Sequence, residues 1–162
     1  MEFISYFNRF FSRRSTPPPK CYEFIKLNDG WNAEPNAPDP CIKINGTDLV
    51  VSFLMGYFQF EECSEDDIGV LTFHNCVQYR MGTNDEGFYM YGKDRFKPYG
   101  IKWGEFYRID NSDWKTNFPD PIRVSDCSGS KGLNHYLFYF RDEAFECIAE
   151  SYEFRLTKAL PQ

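Results

Sequence analysis

Histidine is scarce in this chain: only His74 and His135 occur among 162 residues. Acid–base or nucleophilic chemistry built on imidazole therefore has two possible centres. No Gly-x-Ser-x-Gly elbow is present, and neither glycine-rich phosphate-binding pattern occurs. A pairing of His135 with Cys63 or Cys127 finds no support in spacing. The acidic body argues against a two-histidine phosphodiester site. Closely spaced cysteine pairs are also missing. The six cysteines stand at 21, 41, 63, 76, 127 and 147, whereas structural zinc sites bring their ligands in close pairs. His74 and Cys76 would share one side of a strand, a thin basis for a metal, and no metal or cofactor is expected. The calcium-loop pattern is absent. No apolar run approaches the roughly 18 residues needed to cross a membrane. The N-terminus lacks a continuous apolar stretch with a small-residue cleavage site, so reduced, mostly buried thiols and a cytoplasmic location are expected. With 24 acidic residues, some carboxylate pair always meets a glycosidase spacing, so that signal says little.

Aromatic residues, by contrast, make up 19% of the chain. They favour half-buried strand positions, and eleven Gly, ten Pro and many Asn and Asp supply turns between strands. The expected fold is a β-rich α+β domain. Its main part is an antiparallel sheet, as a sandwich or a curved sheet, with an N-terminal amphipathic helix. Net charge is −6, unevenly spread. Residues 1–20 hold four basic side chains against Glu2, leaving 14 basic and 23 acidic residues beyond them. Such a body repels phosphate backbones and attracts basic partners, so a basic protein and not nucleic acid is the expected partner.

Residues 1–20 form the first unit. Phe3, Ile4, Phe7, Phe10 and Phe11 fall on one face of a helix. The prolines at 17–19 then end it and begin a stiff connector. Three readings are open: a helix docked on its own domain, a peripheral membrane anchor flanked by arginines, or a contact surface for a partner or second copy, as in a homodimer. Residues 21–162 form a single β-rich domain. Tyr22, Phe24 and Ile25 suggest a first strand, followed by a proline-rich loop carrying Trp31. Cys41–Asn45 and Thr47–Met55 flank an Asn45-Gly46 hairpin signal. Tyr57, Phe58 and Phe60 extend the apolar run. Residues 69–81 read as one long strand or a pair, 88–91 as a short strand, 103–109 and 135–140 as strands. Residues 142–157 fit two patterns. A helical stripe joins Phe145, Ile148, Ala149, Tyr152 and Leu156; a returning strand would place Phe145, Cys147 and Ala149 on one side.

Glu61, Glu62, Glu65, Asp66 and Asp67 set five carboxylates within seven residues, directly after the aromatic run. They are a candidate docking patch for a basic partner, set against the plainer reading of a solvated loop. Trp31, in a rigid loop, is a second candidate contact, against a fold-back onto a sheet face. The turn containing Asp85 and Glu86 is a third.

Three phrases carry a resemblance: Leu27-Asn28-Asp29-Gly30-Trp31-Asn32, Gly104-Glu105-Phe106-Tyr107, and His135-Tyr136-Leu137-Phe138-Tyr139-Phe140-Arg141-Asp142. With the size and charge, they make the body of the chain resemble small acidic bacterial immunity proteins of toxin–immunity pairs. The N-terminal helix and proline connector have no counterpart in that class. The resemblance implies binding and neutralisation of a cognate toxin by covering its active site, without turnover. The alternatives are an aromatic-lined carbohydrate-binding protein or enzyme, or a membrane-surface adaptor using the N-terminal helix.

Overall fold

The structure, a computed structural model, describes residues 21–83, 96–126 and 132–158. The expected helix with Phe3, Ile4, Phe7, Phe10 and Phe11, the strand at 88–91, and Asp85 and Glu86 lie outside the described residues. Ten strands follow in order: β1 (Glu23–Lys26), β2 (Cys41–Asn45), β3 (Asp48–Leu54), β4 (Ile68–His74), β5 (Gln78–Thr83), β6 (Phe106–Asp110), β7 (Ile122–Arg123), β8 (Asn134–Tyr139), β9 (Glu143–Ala149) and β10 (Ser151–Thr157). They form two antiparallel sheets, a six-stranded one ordered β1-β6-β8-β9-β5-β7 and a four-stranded one ordered β10-β4-β3-β2. Among the described residues the one helical element is a 3₁₀ turn at Lys97–Tyr99.

Three connections cross between the sheets: the proline-rich loop from β1 to β2, and two tight corners. β4 runs into β5 through Asn75-Cys76-Val77, where Asn75 takes a positive φ of 49°. β9 runs into β10 through Glu150 alone. The segment 142–157 is therefore two strands, which settles the helix-or-strand alternative. Its helical stripe joins buried residues of β9, a strand covered on both faces, to the alternating inward set of β10 across the Glu150 corner. In β10 the inward set is Tyr152, Phe154 and Leu156, a period of two.

The core between the sheets is aromatic. Phe53 of β3 meets Phe138 of β8 edge-to-face, ring centroids 4.9 Å apart, and Phe73 of β4 packs on Phe145 of β9. Such pairs add about 0.5–1.5 kcal/mol each beyond their buried area. The six-stranded sheet is also covered on its outer face. There Tyr107, Ile109, Leu137 and Tyr139 pack with Phe96 and Ile101. Double coverage explains why five residues in a row are buried at the end of both β8 and β9, where a half-exposed strand would alternate.

Three expectations change. The strand foreseen from Trp103 begins at Phe106, because Gly104 takes a positive φ of 73° and breaks the extended run. The hairpin between β2 and β3 pairs Asn45 with Asp48, so its two loop residues are Gly46 and Thr47, one later than read from sequence. His74 and Cys76 do not share a face. The turn at Asn75 sends Cys76 into the core while His74 stays half-buried beside Asp48, Nδ1 3.0 Å from Oδ2.

Candidate functional site

The connection from β3 to β4 carries the acidic cluster, and its backbone is tied at both ends. Met55 donates its N–H to Asp67 O at 3.0 Å, and Gly56 donates to Asn32 O at 2.9 Å. Gly56 is tightly placed: a Cβ there would lie 3.1 Å from Ala33 O. Successive turns follow, with Gln59 donating to Gly56 O, Cys63 to Phe60 O and Asp67 to Ser64 O. The Asp67 carboxylate closes the loop. It accepts the Ser64 N–H at 2.7 Å and Lys158 Nζ at 2.9 Å, while Lys158 also reaches Glu62 O. At 1% exposure Asp67 is an internal strut, which corrects its assignment to a contact patch. A loop tied at these points loses less entropy on meeting a partner than a free one would.

The rest of the cluster faces solvent. Glu61, Glu62, Glu65 and Asp66 are exposed, and Asp66 stands at a positive φ of 67°. Phe58 is 67% exposed, and its ring lies 3.7 Å from that of Tyr57. Glu34 joins them from the proline-rich loop, an acid that sequence spacing did not connect with the cluster. The Tyr57 hydroxyl is held above its ordinary pKa by loss of solvent and then by the carboxylates of Glu65, Glu34 and Asp66. Carboxylates from two loops thus act on a half-buried tyrosine that lies beside an exposed phenylalanine.

Trp31 is not part of this surface. The buried Asn28 side chain accepts the Phe106 N–H at 2.9 Å and donates to Trp31 O at 2.8 Å, turning the chain inward. The indole then lies flat on Phe154, centroids 4.0 Å apart and planes 4° apart. Trp31 is 8% exposed, so its expected role as a presented contact is corrected to a core role. The thiols also depart from expectation. Cys76 and Cys147 are buried, but Cys21 and Cys41 are exposed and Cys63 is intermediate. Cys41 sits on the outward side of an edge strand, which no core covers. Burial, then a hydrogen bond with Cys76, pushes the Cys147 thiol up, so it stays protonated and unreactive at neutral pH.

A second polar constellation lies on the outer face of the six-stranded sheet. Arg80 of β5 donates to Glu146 of β9 at 2.9 Å, and the second Glu146 oxygen is 2.9 Å from His135 Nε2. His135 Nδ1 is 2.6 Å from Ser112 Oγ, which also accepts the Trp114 N–H at 3.2 Å. A serine, a histidine and a carboxylate in sequence invite comparison with a nucleophilic triad. Ser112 opens on a hollow of about 450 Å³. Its rim, however, carries Glu23 and Asp110. The hydrogen bond from Arg108 holds the Asp110 carboxyl below its usual pKa, so it is ionised. Carboxylates at the rim oppose the negative charge an acyl-transfer intermediate develops, where such a site places donors. His135 is also nearly closed off, at 3% exposure. The chain of bonds satisfies a buried carboxylate and fixes the 111–118 loop on the sheet.

No protein-family model, curated protein or solved structure matches this chain. Among the described residues no group of three or more His, Cys, Asp or Glu is arranged to hold a metal ion. Among the same residues no helix is long and apolar enough to cross a membrane. Sequence reasoning missed Ser112 and Glu146, yet one signal was legible: Glu146 stands in the apolar stretch Ala144–Ala149, where a carboxylate needs a partner across the sheet.

Proposed function

We propose that this protein is a binding protein that engages a basic protein partner through the 57–66 loop, and that it acts as an immunity-type inhibitor, neutralising a toxin by covering its active site. The observation that carries the reading is the exposed Phe58 beside the half-buried Tyr57, with the exposed carboxylates of Glu61, Glu62, Glu65 and Asp66 on the same loop, which Asp67 and Lys158 tie down. Charge of one sign speeds and orients encounter, while a few aromatic anchors supply affinity. A preorganised acidic loop suits a cationic cleft of the kind that handles nucleic acid or another anion. The carbohydrate alternative loses Trp31, which is spent inside the core, and keeps Trp103 at 38% exposure.

The test is co-expression with the protein encoded by the adjacent reading frame, scoring growth. The reading expects the neighbour alone to arrest growth, this chain to relieve the arrest, and a variant with Glu61, Glu62, Glu65 and Asp66 changed to lysine to relieve it poorly while remaining folded. Equal relief by that variant would remove the loop from the interface. An innocuous neighbour would remove the inhibitor reading.

A further inference from the structure

Among the described residues β10 is an unpaired sheet edge. All seven of its residues pair with β4, from Ser151↔His74 to Thr157↔Ile68, and no described strand lies on its other side. Its inward side chains Tyr152, Phe154 and Leu156 are only half-buried, whereas Leu71 and Phe73 on the neighbouring strand are fully buried. Sheet edges are ordinarily blunted by proline, lysine or a bulge. β2, the opposite edge of the same sheet, follows Pro40 and has Lys43 at its centre. β10 contains neither proline nor lysine and its pairing runs without a bulge; its edge charges are one of each sign, Glu153 and Arg155.

We propose that β10 pairs with β10 of a second copy, joining two four-stranded sheets into one of eight strands. Two identical strands meet antiparallel about an axis normal to the sheet, so one residue must face its own copy. Centring the axis on Phe154 places Glu153 opposite Arg155 of the second copy, and Arg155 opposite Glu153 of the second copy. Centring on Glu153 or on Arg155 sets like charges face to face instead, which disfavours pairing. The Phe154 register also lays Tyr152 against Leu156 of the second copy, which covers the half-buried apolar flank. Within its own chain Arg155 has no ion-pair partner among the described residues. Glu153 is 70% exposed, with His74 Nε2 3.9 Å away. Both charges are therefore available. This seam, centred on Phe154, does not depend on the proposed function, although Lys158 just beyond β10 is tied to the 57–66 loop.

Sedimentation equilibrium of the full chain tests it. The wild type is expected at twice the 19.2 kDa chain mass. Glu153→Arg alone and Arg155→Glu alone are each expected to weaken the dimer at least tenfold, with circular dichroism unchanged. The double exchange Glu153→Arg with Arg155→Glu restores it, and so does mixing the two single variants, since their charges then complement across the seam. A wild type that stays monomeric overturns the proposal. So does a dimer indifferent to the single variants, which would place its contact elsewhere in the chain.

Discussion

At the residue scale, three side chains carry distinct consequences. Trp31 fills the space between the sheets against Phe53, Phe154 and Phe138. Trp31→Ala should cost about 3–5 kcal/mol, read from urea unfolding, as expected for deleting a large buried aromatic. A loss below about 1 kcal/mol would return it to the surface role its proline-rich surroundings suggested. Those prolines misled because loop composition reports backbone stiffness, not the direction of a side chain; the direction is set by Asn28, whose bonds cross 78 positions to Phe106. Ser112 is expected to resist a fluorophosphonate probe, with labelling no greater in wild type than in Ser112→Ala. Labelling of wild type alone would make the Ser112–His135–Glu146 chain catalytic. Glu105 gives a pH signature. Burial raises its pKa, but hydrogen bonds from Tyr107 and Lys26 outweigh that and hold the carboxyl below its usual range. A depressed folded pKa means stability that is complete above the unfolded value, about 4.3, and lost as pH falls through the folded one. The stability gap between wild type and Glu105→Gln should therefore be largest at neutral pH and shrink as pH drops below about 4. A gap that is constant with pH would contradict the assignment.

At the scale of elements, Gly69 in β4 shows how closely the four-stranded sheet is packed over its aromatic floor. A Cβ there would stand 2.6 Å from both Met55 Sδ and a Phe53 ring carbon. Gly69→Ala should destabilise by about 1–3 kcal/mol through overpacking. A thermal melt unchanged from wild type would mean that Phe53 and Met55 move aside freely. Several strands were legible because one face alternates: Leu49, Val51 and Phe53 in β3, Leu71 and Phe73 in β4. The two corners were not. A strand that changes sheet keeps its local pattern but swaps the partner that pattern serves, so Phe145 to Leu156 could be read at either period. Doubly covered strands lose alternation altogether, which hid the shared outward side of His135 and Glu146.

At the scale of the whole molecule, the negative charge and the aromatic wealth separate. Most described aromatics are core, while the exposed acids gather on connections, above all on the 57–66 loop. Composition foretold a β-rich body. It could not show that Glu34 joins the cluster or that Asp67 leaves it, since both facts come from chain segments meeting in space. The central claim is that the exposed members of this cluster steer a cationic protein onto Tyr57 and Phe58. The most direct measurement is the association rate with the adjacent-frame protein as a function of salt, for wild type and for the variant with Glu61, Glu62, Glu65 and Asp66 changed to lysine. The account predicts a wild-type rate that falls steeply with salt and a variant slower by about 10-fold or more at low salt, the two converging at high salt. Identical rates and identical salt slopes for the two proteins would contradict it.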